Sequence, residues 1–164
     1  MDKELLSAAE ELGKALLQVG AKVAAAESCT SGLVSSALGA ASDSSSYFTS
    51  GFVTYTNSAK HRILHVNEKT LEVHTAVSEA TAREMATGAK EVSGESASIA
   101  VTGYAGPDGG EDGTPAGTVW FGWGLPKGTV VSLQRHFEGN CEEVVKQAAL
   151  FALQHLNELL KQQS

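Results

Sequence analysis

A serine where a buried stretch meets a helix and a lysine close to a tyrosine are the groups in this chain best suited to chemistry. The serine lies in residues 27–32, Glu-Ser-Cys-Thr-Ser-Gly. This run falls where a short apolar stretch hands over to a helical one. Main-chain N–H groups at a helix start carry partial positive charge and can hold an anion. They can also hold an oxyanion, and Ser28 there could attack a carbonyl carbon. Ser28 and Thr30 are equally suited to plain N-capping, which needs only a hydroxyl. The lysine ends residues 51–60, Gly-Phe-Val-Thr-Tyr-Thr-Asn-Ser-Ala-Lys. A serine needs a base, and a lysine desolvated in a pocket can lose its proton and serve as one. Tyr55 could relay the proton or orient Lys60. A solvated lysine on a short helix, beside a core tyrosine, is the plainer reading of these residues.

A third segment, residues 102–110, reads Thr-Gly-Tyr-Ala-Gly-Pro-Asp-Gly-Gly. Its glycines permit positive φ and close approach of the backbone to a ligand. The segment follows a strand, as many ligand loops of α/β proteins do. It lacks the Gly-Lys-Ser/Thr of a phosphate-binding loop, and it leads into no helix as a dinucleotide fingerprint would. A long surface loop without a ligand is the competing reading. Cys29 is a rival nucleophile, since a helix start lowers a thiol's pKa. His61 and His65 share a helix face at the spacing of a metal chelate, but no third ligand stands near them in sequence, and solvated histidines are the better reading.

The elements that must position these groups follow from hydrophobic spacing. An amphipathic helix is expected over residues 3–18 and a buried strand over 22–27. A second helix follows over 29–40, then a polar loop at 43–46 and a strand over 48–55. One or two helical turns fit residues 59–65. Ser78 can cap a helix running to about residue 92, with Glu79 in its first turn. Strands are expected over 96–102, 118–123 and 129–137, the last two paired around Pro126-Lys127-Gly128. A glycine-dense loop spans 103–117. Trp120 and Trp123 sit at odd spacing and so face opposite sides of a strand. A final helix from Asn140 to about residue 160 carries Glu143 where a capping box needs it. Helices and strands alternate, so the expected class is α/β: a single compact layered domain, residues 1–164, with a mixed sheet flanked by helices.

Length and charge set the outer limits. A chain of 164 residues is large enough for one core and short for two. Its 42% hydrophobic and 19% charged residues give a globular balance, not a disordered one. A net charge of −7 argues against gripping nucleic acid or an anionic membrane by bulk charge. Two cysteines do not make a disulfide scaffold. The first residues lack the pattern of a signal peptide, and no apolar run is long enough for a membrane span. A cytoplasmic location is the expectation.

Taken together and in order, the segments resemble the CinA C-terminal domain family. The matching stretches are residues 26–30 (Ala-Glu-Ser-Cys-Thr), 51–60, 74–79 (His-Thr-Ala-Val-Ser-Glu), 102–110 and 115–120 (Pro-Ala-Gly-Thr-Val-Trp). The enzymatic members of that family are nicotinamide-nucleotide amidohydrolases. They hydrolyse the carboxamide of nicotinamide mononucleotide (NMN) to nicotinic acid mononucleotide and ammonia, in pyridine nucleotide salvage. The resemblance implies Ser28 as nucleophile with Lys60 and Tyr55 as its activating pair. It implies N–H groups near Ser28 for the oxyanion, and Thr30, Asn57, Thr102, Gly103 and Gly106 at the nucleotide substrate. Such a mechanism needs no metal and no cofactor. A stand-alone homo-oligomer is expected, without the molybdopterin-biosynthesis-like domain to which the family is often fused.

Two departures from the family pattern stand out. Ser31 replaces the first glycine of a Gly-Gly pair and could crowd the helix start. Cys141 and Val145 stand where active members usually carry arginines suited to a 5′-phosphate. Lys146 or Arg135 could substitute for them. The alternative reading is therefore a paralogue that keeps the fold and pocket as a nucleotide-binding module, inactive or with an altered substrate such as a non-phosphorylated amide.

Overall fold

The computed structural model describes residues 1–163. Helix α1 (Lys3–Gln18) starts at Asp2, whose carboxylate accepts from the Glu4 and Leu5 N–H groups. It buries Leu5, Ala9, Leu12 and Leu16, the stripe expected from its three-and-four spacing. Strand β1 (Val23–Glu27) is buried throughout. Helix α2 (Leu33–Ala40) and a short 3-10 turn (Ser44–Ser46) lead to β2 (Phe48–Val53). Three helices follow: α3 (Asn57–Leu64), α4 (Glu68–His74) and α5 (Glu79–Ser93). Strands β3 (Ala97–Gly103), β4 (Thr118–Gly124) and β5 (Val130–His136) precede the long α6 (Cys141–Gln163).

The five strands form one sheet in the order β2-β1-β3-β4-β5. β1 pairs parallel with β2 and β3, whereas β3-β4 and β4-β5 are antiparallel. Side chains alternate across a strand, so the sheet builds two cores. Val23, Ala25, Ile99, Val101, Phe121 and Trp123 pack with α1, α2 and α6. Ala24, Ala26 and Ala100 pack on the other face against Leu64, Leu71, Met85, Ala86 and Ala89. The result is three layers, with the mixed sheet between two sets of helices. Trp123 is fully buried and donates from its indole to the Ala152 carbonyl at 3.0 Å, while Trp120 on the opposite side is only partly buried.

One local expectation is corrected, and two features go beyond the sequence reading. The helix expected from residue 29 begins at Leu33, because Ser31 (φ 49°) and Gly32 (φ 99°) take left-handed backbone that no helix continues. Helix α4 has no counterpart in the sequence reading. It buries only Leu71 and so shows no apolar period; its cap is Asn67, which accepts from the Lys69 N–H. The loop after β3 is closed on itself: the Gly117 N–H donates to the Tyr104 carbonyl and the Tyr104 N–H to the Thr118 carbonyl. Among the described residues, no helix is long and apolar enough to cross a membrane.

Candidate active site

The carboxyl ends of β1 and β3 lie side by side, and their chain connections leave in opposite directions along the sheet. That is the switch point at which open α/β sheets leave a crevice for ligands. A cavity of about 480 Å³ opens there, within the size range of small-molecule sites. Ser28, Thr30, Tyr55, Lys60, Thr102, Gly103 and Gly106 all line it. Ala76 and Val77 supply one wall, Tyr104 and Asp108 another, and Cys141 and Val145 of α6 a third.

Lys60 is the centre of the site. It lies in the first turn of α3, which Thr56 caps by accepting from the Ala59 N–H. Its side chain is 0% exposed although it carries an amine. The Nζ stands 2.9 Å from Ser28 Oγ, 2.9 Å from the Thr54 carbonyl and 3.1 Å from the Tyr55 carbonyl. None of the ion pairs among the described residues involves it. Burial without a counter-charge disfavours the ammonium and lowers the pKa from 10.5 to about 8. Two hydrogens of the neutral amine match the two carbonyls, and its lone pair is then left for the Ser28 hydroxyl.

Glu27 organises the loop that carries Ser28. Its carboxylate is fully buried and accepts from five donors: the Thr30 hydroxyl, the Gly32, Val34 and Ser35 N–H groups, and the Ser35 hydroxyl. The anion-binding capacity of the α2 terminus is therefore already used by the chain's own carboxylate. The N–H groups of Cys29 and Thr30, which follow the serine, take no main-chain acceptor among the described residues.

Several expected roles change with this geometry. Tyr55 touches Lys60 through its main-chain carbonyl, while its side chain is 66% exposed at the cavity mouth. The Thr30 hydroxyl is taken by Glu27 and the Thr102 hydroxyl by the Ala76 carbonyl, at 2.7 and 2.8 Å. Both hold walls of the cavity. Gly103 is a glycine for packing, since a Cβ there would stand 2.8 Å from the Thr118 carbonyl oxygen of β4. Gly106 has φ 108°, open to glycine and strained for other residues. Asn57 does not line this cavity; it borders a separate groove with Ser58, His61 and Glu68. Cys29 is no thiolate: burial pushes its thiol up to about 12. His61 is bound to the Val66 carbonyl and to Glu68. Lys146 pairs with Asp2 and Glu4, and Arg135 lies over the Phe151 ring; neither lines the cavity.

The model of the CinA C-terminal domain matches residues 5–160. The chain belongs to the CinA C-terminal domain family. Protein YdeJ of Escherichia coli (strain K12) is 50% identical to it over 149 residues, covering 91% of this chain and 86% of that protein. Nicotinamide-nucleotide amidohydrolase PncC of Enterobacter agglomerans is 45% identical over 161 residues, 98% of each chain. PncC of E. coli (strain K12) is 42% identical over 155 residues, 94% of each. The crystal structure of a CinA superfamily protein from Klebsiella pneumoniae 700603 superimposes with a TM-score of 0.94 at 44% identity, covering 96% of this chain and 98% of that one.

In this CinA-family domain the sequence reading brought Ser28 and Lys60 together but missed what supports them. The Thr54 and Tyr55 carbonyls leave no residue signature, because main-chain acceptors exist at every position. The Ala76–Val77 wall is held from behind: the Ser78 and Thr81 hydroxyls both donate to the Thr75 carbonyl. The usable signal was the Ser-x-x-Thr spacing of that cap, read only as a helix start.

Proposed function

We propose that this chain is a serine amidohydrolase that cleaves the carboxamide C–N bond of a nicotinamide-type substrate. Ser28 is its nucleophile and Lys60 its general base. The observation that carries the reading is a fully buried lysine, without an ion-pair partner, 2.9 Å from a serine hydroxyl at the cavity. The names of the PncC relatives supply the first substrate to test, NMN.

Neutral Lys60 takes the Ser28 proton as Oγ attacks the carboxamide carbon. The carbonyl electron pair moves to oxygen, where the Cys29 and Thr30 N–H groups are the nearest unused donors. Collapse expels the amine, which receives the proton from the Lys60 ammonium and leaves as ammonia. The resulting ester is cleaved by water, with Lys60 again as base, releasing the carboxylic acid and restoring Ser28. The Thr54 and Tyr55 carbonyls fix the amine in place, so Tyr55 contributes through its backbone.

Purified protein incubated with NMN is expected to release ammonia and nicotinic acid mononucleotide in equal amounts, and Ser28→Ala is expected to abolish both. Wild-type protein that releases no ammonia from any nicotinamide derivative would refute the reading. Binding without turnover is the second reading. Cys141 and Val145 favour it, since they put no cation at the cavity wall. Saturable NMN binding by calorimetry, with no product formed, distinguishes it.

A further inference from the structure

Residues 75–78 join α4 to α5, and this short strap supplies the Ala76–Val77 wall of the cavity. Its first residue, Thr75, has φ 69° and ψ 173°. That region is open to glycine and costly for every other residue, most of all for a β-branched one. Asp43 and His65 also have positive φ, but with ψ 29° and 28° they lie in the milder left-handed helical basin. Nothing in the Thr75 side chain offsets its strain, since its hydroxyl is buried and finds no hydrogen-bond partner among the described residues. The offset comes from the main chain. The Thr75 carbonyl accepts from the Thr81 hydroxyl at 2.7 Å. The Ser78 hydroxyl has one hydrogen to share between that carbonyl at 3.0 Å and Thr81 Oγ1 at 3.1 Å, so Thr81 is the firmer clamp. On the far side of the strap, the Ala76 carbonyl accepts from the Thr102 hydroxyl of β3 at 2.8 Å. Thr81 itself is 0% exposed and lies outside the cavity lining. Its hydroxyl reaches the wall through the Thr75 carbonyl.

We propose that Thr81 is a positioning residue for the reaction: its hydroxyl holds the strained Thr75 in place and so keeps the Ala76–Val77 wall in the conformation that receives substrate. The inference rests on the Ser28–Lys60 reading for where substrate lies. The strain of Thr75 and one hydrogen bond are of similar size, so loss of the Thr81 hydroxyl lets the strap populate a second, relaxed conformation. Substrate then binds only the fraction that keeps the wall, which raises KM by the inverse of that fraction and leaves kcat nearly unchanged. Glycine at position 75 has no such strain to relieve, so on that background the Thr81 hydroxyl matters little.

The test is a double-mutant cycle read by steady-state ammonia release from NMN, with urea unfolding of each variant. Thr81→Val is expected to raise KM about tenfold with kcat within about twofold of wild type. Thr81→Ser keeps the hydroxyl and is expected to keep the wild-type KM. Adding Thr81→Val to Thr75→Gly is expected to raise KM by less than about twofold, whereas a merely structural role for Thr81 gives the same rise on both backgrounds. An unchanged KM in Thr81→Val, or an equal rise with and without Thr75→Gly, overturns the inference and leaves the serine–lysine chemistry intact. If Thr81→Val does not fold, Thr81→Ala takes its place in the same cycle. If the wild type releases no ammonia from NMN, the chemistry fails for that substrate, and calorimetric binding of NMN to the same variants decides the positioning role. A Kd raised about tenfold by Thr81→Val and restored on the Thr75→Gly background sustains it, whereas unchanged or absent binding overturns it.

Discussion

Under the proposed chemistry, Lys60 connects catalysis and stability at the scale of a single residue. A base must be neutral to accept the Ser28 proton, so kcat/KM is expected to rise with pH and level off above an apparent pKa near the value of about 8 for the buried amine. A profile flat between pH 6 and pH 9, in the same substrate, would remove Lys60 as base. The same depression has a stability consequence whose sign is opposite to that of an ion-paired lysine. Below about pH 8 the amine is protonated in both folded and unfolded chains; between about 8 and 10.5 only the unfolded chain holds the proton. The contribution of this group to folded stability therefore grows as pH rises through that window. Denaturant unfolding of wild type and Lys60→Met should diverge across it, with the wild type gaining. Lys60→Met should also cost about 10²-fold or more in kcat. Tyr55→Phe should cost well under that, because the carbonyl, not the phenol, holds the amine. The contact between Ser28 and Lys60 was foreseen through the family resemblance, whereas the residue types alone left a solvated lysine as the plainer reading. The carbonyl grip was not foreseen, since no residue type announces it.

At the scale of elements, the turn between β1 and α2 is where the fold creates the site. The buried Glu27 carboxylate satisfies three N–H groups and two hydroxyls, which would otherwise be unpaired at a helix start. Glu27→Gln keeps the size but sets an amide NH₂ against donors. It is expected to cost about 2–3 kcal/mol in urea unfolding, with a fall in kcat as the Ser28 loop loosens. Ser31 lies in the same turn at φ 49°. Left-handed backbone costs a non-glycine residue about 1–2 kcal/mol, part of which glycine returns as extra freedom in the unfolded chain. Ser31→Gly is therefore expected to stabilise by about 0.5–1 kcal/mol, read as a raised denaturation midpoint. The expectation that Ser31 crowds the helix start thus becomes a backbone effect. Strand and helix positions were legible from their apolar periods, since β1, β3, α1 and α6 each bury a continuous set of residues. The start of α2 was not, because Cys29 and Thr30 look helical and only Ser31 and Gly32 break the path.

The whole molecule brings the serine and the lysine together from opposite faces of the sheet. Ser28 follows β1 and leads into α2 on one face, whereas Lys60 sits on α3, which belongs to the other. What holds α3 down is its packing on α5, and the tightest point of that packing is Gly88. A Cβ at Gly88 would land on the Leu64 carbonyl oxygen and within 2.9 Å of the carbonyl carbon, both backbone atoms that cannot swing aside. Leu64 is one turn beyond Lys60, and the Lys60 carbonyl accepts from the Val66 N–H just after it. Gly88→Ala must therefore move α3, and with it the amine. Overpacking of this kind costs about 1–3 kcal/mol, and alanine's better helix propensity returns about 1. The net loss of stability is expected to be modest, about 0–2 kcal/mol, whereas kcat is expected to fall up to about 10²-fold, because an ångström of misplacement suffices. Gly39→Ala in α2 is the matched control: a Cβ there meets nothing within 4 Å, so only the helix propensity changes. Urea unfolding and steady-state kinetics on the two variants separate the effects. If Gly88→Ala merely becomes more stable and keeps its kcat, as Gly39→Ala should, the α3–α5 packing does not set the distance between amine and hydroxyl.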